Sequence, residues 1–285
     1  MESGPSGAHG HAWLGAPVDA RPLFAAEHEA LLATLRGAAP ADWHREAVPG
    51  WTVRDLAAHV LGDYYGRLGR DRDRHEGGPR PAPGETLEAF IHRANQEWVD
   101  AWARVSPAAL VDTLDLVGRQ VTRFFATADP AAASLGVSWA GADPAPMWLD
   151  CAREFTEFWT HRQQLRHAVG LGSDLTPGPL AVVLDTFLRA LPHTLRDTEA
   201  PVGTQVEVRV DGPAGGTWTV TAERDRWSLA RPPAGRPTAV VEWDPDTAWR
   251  LCTRGIDPAT ALGRTRTRGE RRLAEAVCRI VSVVY

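Results

Sequence analysis

Glu157 and His161 stand four residues apart in "CAREFTEFWTHRQQLRHAVG", residues 151–170, a stretch whose apolar positions recur at helical spacing. That separation puts two side chains on one helix face, about one turn apart. A carboxylate and an imidazole so placed can share a metal ion, or can simply satisfy each other. The best third partner is His59, in "GWTVRDLAAHVLGDYYGRL", beside the inward face of another helical segment. Two His and one Glu projecting inward from different helices make a workable donor set for zinc, iron or nickel, with a position left open to water or substrate. Spacing alone leaves a second reading open. With ten His in the chain, His161 could merely bond Glu157, and His59 could be a satisfied core histidine.

The elements that must hold these residues are legible from periodicity and punctuation. Leu31, Leu32 and Leu35 recur at helical spacing in a segment that Gly37 stops. Thr52 is a good N-cap, Asp55 three residues on completes a capping box, and Trp51 with Leu56 has the spacing of a hydrophobic staple. Residues 70–84, "RDRDRHEGGPRPAPG", read as a solvated loop. Two further helices follow, one with a stripe of Leu87, Phe90, Ile91, Ala94, Trp98 and Trp102, the next running from Pro107 to Ala128. The metal helix spans Pro146 to Val169, and another helix, Pro179 to Arg196, is kinked or interrupted at Pro192. Beyond residue 200 the period becomes two. "TQVEVRVD" and "TWTVTAE" form a hairpin, "RWSLA" and "TAVVEW" read as strands, and short helices, the first capped by Asp244 or Asp246, close the chain. We expect a flexible lead over residues 1–20, a helical bundle over 21–199 and a small α+β domain over 200–285.

Composition narrows the function. A net charge of −5 over 285 residues gives no electrostatic case for nucleic acid. No run approaches the roughly 20 apolar residues of a membrane span. Cys151, Cys252 and Cys278 are widely spaced and odd in number, which argues for a reducing compartment, and the N-terminus lacks the basic start and apolar core of a signal peptide. A cytoplasmic protein is expected. All three cysteines sit among apolar neighbours and read as small buried hydrophobes, so a thiol used in catalysis must come from outside.

"GWTVRDLAAHVLGDY" followed by "REFTEFWTHRQQLRHAVG" resembles the mycothiol-dependent maleylpyruvate isomerase family, whose bundle has the DinB-like fold. "LCTRGIDPATAL" and "TRTRGERRLAEAVCRIV" resemble that family's C-terminal domain, so the likeness covers nearly all of the chain from residue 22. It implies an α+β protein, an N-terminal DinB-like up-and-down helical bundle followed by a small α+β domain. It also implies that His59, Glu157 and His161 bind a divalent metal, zinc foremost, and that mycothiol is the thiol cofactor. Two departures stand out. Gln164 occupies the Asp position of the relatives' H-x-x-D-x-R, and Glu270 follows Gly269 where relatives have Gly-Asp.

A cation deprotonates a bound thiol and fixes the resulting nucleophile. In the isomerase that the likeness implies, the thiolate adds to an activated double bond, the bond rotates, and elimination returns the thiol. Stopping after addition makes an S-transferase, and the residues do not separate the two. Arg254 matches a family Arg and suits a substrate carboxylate or a polar cofactor, its plain alternative being a surface Arg near a helix end. Gln164 and Arg166, on the turn after His161, are further candidates for contact with the cofactor. Trp139 and Trp159 could line an apolar pocket, although aromatics on bundle helices more often fill a core. The partners expected are a small electrophile and a low-molecular-weight thiol. Two other classes stay open, a non-catalytic ligand- or metal-binding protein and a hydrolase using metal-bound water.

Overall fold

The computed structural model describes residues 10–283, which fall into two compact units. One comprises Arg21–Ala128 and Glu157–Asp174 and is helical. It holds α1 (Phe24–Arg36), a short strand pair β1 (Glu46–Val48) and β2 (Trp51–Thr52), α2 (Val53–Arg67), α3 (Leu87–Ala101), α4 (Pro107–Thr127) and the second half of α5 (Met147–Ala168). The capping box is present: Asp55 N–H donates to the Thr52 hydroxyl while Thr52 N–H donates to the Asp55 carboxylate. Beyond Arg67 the helix continues as a π-helical turn over Leu68–Arg72, so the expected loop starts three residues later, at Asp73.

Aromatic contacts close the core of this bundle. Phe24 of α1 stacks on Phe125 of α4 at 4.5 Å, and Phe158 of α5 stands edge-on to Phe24 at 5.9 Å and to Tyr64 of α2 at 4.8 Å. Where α1 crosses α4, Gly118 faces the buried His28 ring so closely that an added Cβ would fall 2.1 Å from it. His28 cannot swing aside without leaving the Tyr64 hydroxyl, 3.3 Å from its Nδ1. The α3 stripe packs against α2 and stays half-exposed, with only Val99 buried on that helix.

The other unit gathers Asp129–Thr156 and Leu175–Val284 with the chain up to Ala20. Its small pair β3 (Ala133–Ser134) and β4 (Ala145–Pro146) leads into α5, followed by α6 (Pro177–Phe187) and α7 (Leu191–Thr194). The chain breaks between those two helices at a 3-10 turn over Leu188–Ala190, which lets Pro192 fall in the first turn of α7, where its missing N–H costs nothing. The five-stranded sheet has β5 (Gln205–Val210), β6 (Gly216–Ala222), β7 (Trp227–Ser228), β8 (Ala239–Trp243) and β9 (Arg266–Gly269), in the order β7-β6-β5-β8-β9. The hairpin pairs Val208 with Trp218, and β8 lies parallel to β5 with Val206 opposite Ala239. Between β8 and β9 come α8 (Pro245–Cys252), capped by Asp244, and α9 (Pro258–Arg264); α10 (Arg271–Val277) follows β9 and packs on β8.

Three expectations change. The lead is packed over its described part: Leu14 is fully buried, Trp13 C=O accepts from Leu229 N–H, and residues 1–9 lie outside the described residues. The compact units do not divide at residue 200, since α6 and α7 gather with the sheet. Strand β9 was not foreseen, because its Arg-Thr alternation exposes every residue and carries no apolar signal. The Glu270 departure also has a physical consequence. Glu270 occupies the N-cap of α10 without a side-chain cap bond, and its carboxylate pairs with Arg272 instead.

Two helix glycines test this packing with opposite signs. Gly118→Ala is expected to lower stability by about 1–3 kcal/mol through overpacking. Gly66→Ala, open around its Cβ position, is expected to raise it by about 0.5–1 kcal/mol. Denaturant midpoints check both. His28 adds a pH dependence, because burial holds its imidazole below the ordinary 6.5. The unfolded chain therefore takes up this proton first as pH falls, so stability is full above 6.5 and declines below it. His28→Gln is expected to flatten that decline in unfolding curves recorded between about pH 7 and about pH 5.

Candidate metal centre

Two helix faces supply the candidate donors. On α2, His59 Nε2 lies 3.4 Å from Asp63 Oδ2, four residues further on. On α5, His161 Nε2 lies 3.8 Å from Glu157 Oε2, four residues back. The two imidazoles meet between the helices, their centroids 4.9 Å apart at an interplanar angle of 86°. One ligand atom from each of His59, Asp63 and His161 lies within 4.8 Å of the other two. Donors each about 2.1 Å from one tetrahedral ion stand about 3.4 Å apart, the separation of the His59–Asp63 pair. Imidazole nitrogens and carboxylate oxygens at this spacing fit a divalent cation such as zinc.

The sequence reading named Glu157 and passed over Asp63. Glu157 borders the site through His161, while His59, Asp63 and His161 form the mutually close group among the described residues. The signal for Asp63 was present, since it follows His59 at the same four-residue spacing.

Neighbours fix each imidazole. His161 Nδ1 donates to Gln164 Oε1 at 2.8 Å, so Nε2, 3.8 Å from Glu157 Oε2, is the nitrogen available to a cation. Gln164, an expected cofactor contact, thus holds the tautomer that a metal ligand needs. The Trp51 indole lies beside the His59 ring, centroids 5.0 Å apart and planes tilted by 47°, and its Nε1 donates to Gln96 on α3. Trp98 donates to Ala58 C=O and sits over Gly62, where a Cβ would lie 2.8 Å from its ring. The α2 backbone is thereby locked on both sides of His59. On α5, buried Arg162 grips both carboxylate oxygens of Glu27 on α1 and also bonds Asp174 at 2.9 Å.

The remaining candidates have other surroundings. Arg166 donates to Gly172 C=O and ties down the loop after α5. Trp139 and Trp159 are core, at 7% and 0% exposure. Arg254 belongs to the sheet unit, where it follows α8 in the left-handed region at φ 57° and is exposed. The cysteines are all buried; desolvation pushes the Cys252 thiol up to about 12 and the Cys278 thiol to about 11, so neither is a thiolate near neutrality.

Imidazoles and carboxylates projecting inward from facing helices are the arrangement from which metal sites in helical bundles are built. The family model described as the mycothiol maleylpyruvate isomerase N-terminal domain matches residues 24–166, from α1 through α5, and the chain belongs to this family. Two solved structures of the mycothiol-dependent maleylpyruvate isomerase, one of them a mutant, are similar at 17% identity, with TM-scores of 0.48 and 0.47. In each comparison 88% of this chain and 92% of the other is covered. The search of curated proteins finds no match. No helix among the described residues is long and apolar enough to cross a membrane.

Gln164→Ala is expected to weaken zinc binding by about tenfold or more, the usual effect of losing a partner behind a ligand imidazole. Gln164→Asp, a stronger acceptor, is expected to bind zinc at least as tightly as the wild type. Competition with a chromogenic chelator checks both.

Proposed function

We propose that this protein is a metal-dependent, mycothiol-using enzyme that isomerises or S-conjugates a small electrophilic metabolite. The observation that carries the reading is the pair of His–carboxylate faces meeting inside a bundle of this family. His59, Glu157 and His161 would hold the cation, zinc foremost. When bound, it supplies a Lewis acid that favours the thiolate of an added thiol at neutral pH. Gln164 keeps the His161 Nε2 unprotonated, and Trp51 shields one face of His59. The exclusion of the chain's own cysteines supports an external thiol.

Arg254 is the proposed contact for a substrate carboxylate or for the polar part of mycothiol. A non-glycine residue held at positive φ costs about 1–3 kcal/mol and tends to mark a functional position. A planar guanidinium matches a carboxylate in two bonds. No nucleic acid or membrane partner is part of this reading, and a cytoplasmic setting suits a low-molecular-weight thiol.

The test is turnover of a panel of activated alkenes and other electrophiles, with and without mycothiol. Turnover is expected only with the thiol, and is expected to vanish on chelation and return with zinc. Glu157→Ala and His161→Ala, shown folded by circular dichroism, are each expected to lose at least about 100-fold, on the order of one removed catalytic contact. Full activity in those variants contradicts the site. Turnover without thiol identifies a hydrolase, and ligand binding without turnover identifies a binding protein.

A further inference from the structure

We infer that Asp63 is a fourth protein ligand of the cation, so that two His–carboxylate pairs, one from α2 and one from α5, clasp it from opposite helices and a fifth position is left for the thiol. The inference rests on the metal-dependent reading above and extends it to Asp63, which lies within the stretch that resembles the family but is not among the three ligands that the likeness implies. Three observations carry it.

The first is distance. Asp63 Oδ2 is 3.4 Å from His59 Nε2, closer than Glu157 Oε2 is to His161 Nε2 at 3.8 Å. Asp63, not Glu157, completes the group whose ligand atoms are all within 4.8 Å of one another. The second is direction. Asp63 and His59 share a face of α2, and that face meets the His161 ring. The rigid backing of Trp98 on Gly62, the residue just before Asp63, prevents that face from turning away.

The third is charge. His59 and His161 are 11% and 14% exposed, and a cation between them is largely stripped of water. Buried charge is tolerated when it is matched. Two neutral imidazoles and one carboxylate leave a divalent ion with one uncompensated charge, whereas a second carboxylate neutralises it. Two oxygen donors also move the preference toward harder cations than a three-donor set would favour. The competing role for Asp63 is to accept a hydrogen bond from His59 Nε2 and orient that ring. In that case Nε2 is occupied and Asp63 never touches the ion.

Cobalt(II) bound to the full chain, purified without an affinity tag, separates the two. Asp63→Cys places a sulfur one bond short of the proposed donor oxygen, a gap that the longer metal–sulfur bond partly makes up, and Asp63 is 30% exposed, so the change is mild. The variant is expected to bind one cobalt and to show a sulfur-to-cobalt charge-transfer band in the near ultraviolet, absent from the wild type. Asp63→Asn is expected to alter the visible cobalt bands and to weaken binding at least tenfold, as is Glu157→Gln. A folded Asp63→Cys protein that binds cobalt without the band overturns the inference, as does an Asp63→Asn spectrum identical to wild type. If the wild type itself binds no cobalt, the metal reading fails first, and the variants are not needed to show it.

Discussion

The bidentate ion pair between Arg162 and Glu27 sets the rotation of α5, and the candidate site depends on that rotation. Both side chains are almost wholly buried, at 3% and 4% exposure, and Asp174 takes the remaining side of the guanidinium. Consecutive helix residues point about 100° apart, so Arg162 is drawn toward α1 while His161 turns toward α2. Any rotation of α5 that moved His161 away would also pull a buried charge from its partner. Stranding one member of such a pair costs about 3–5 kcal/mol. The geometry of the site is in this sense enforced from the far side of its own helix.

The second constraint is how closely the helices approach. Gly118 lets α4 close on His28 of α1, and Gly62 lets Trp98 of α3 lie directly on α2. Neither glycine has a positive φ; each is there for lack of a Cβ. With α2 held by Trp98 and Trp51, and α5 by Arg162, the imidazoles of His59 and His161 are brought together by parts of the fold that touch neither ring's nitrogen. Along α5 the division of labour is sharp. Phe158, Trp159 and Leu165 are buried, whereas Glu157, His161 and Gln164 follow one another at four- and three-residue steps on a partly open face.

Much of this was legible in the sequence because the relevant signals are local. The capping box of Thr52 and Asp55, the amphipathic periods of α1, α4 and α5, and the β5–β6 hairpin depend on neighbours a few residues apart. Glu157 and His161 stand out by the same four-residue rule, and His59 as their best partner on another helix. What escaped depends on the third dimension. Gln164 is expected from sequence only as a contact with the cofactor, and its bond to His161 Nδ1 is visible only in the fold. Asp63 follows His59 at the spacing by which His161 follows Glu157, but the family likeness implies three ligands only. The lead before residue 21 looked like a flexible tail of Gly, Ala and Pro, yet its Leu14 finds a fully buried seat. Strand β9 is held by backbone pairing with β8 and by the ion pairs of Arg266 and Arg268 with Glu242, and has no apolar pattern to announce it.

The central claim is that a divalent cation sits between α2 and α5, and an anomalous difference map from zinc-soaked crystals at the zinc absorption edge tests it most directly. The account predicts one strong peak within bonding distance of His59 Nε2 and His161 Nε2, with carboxylate oxygens of the same two helices completing its shell. A map with no peak there, or with zinc only at surface histidines, would contradict the claim and leave these side chains as a hydrogen-bonded cluster in the bundle.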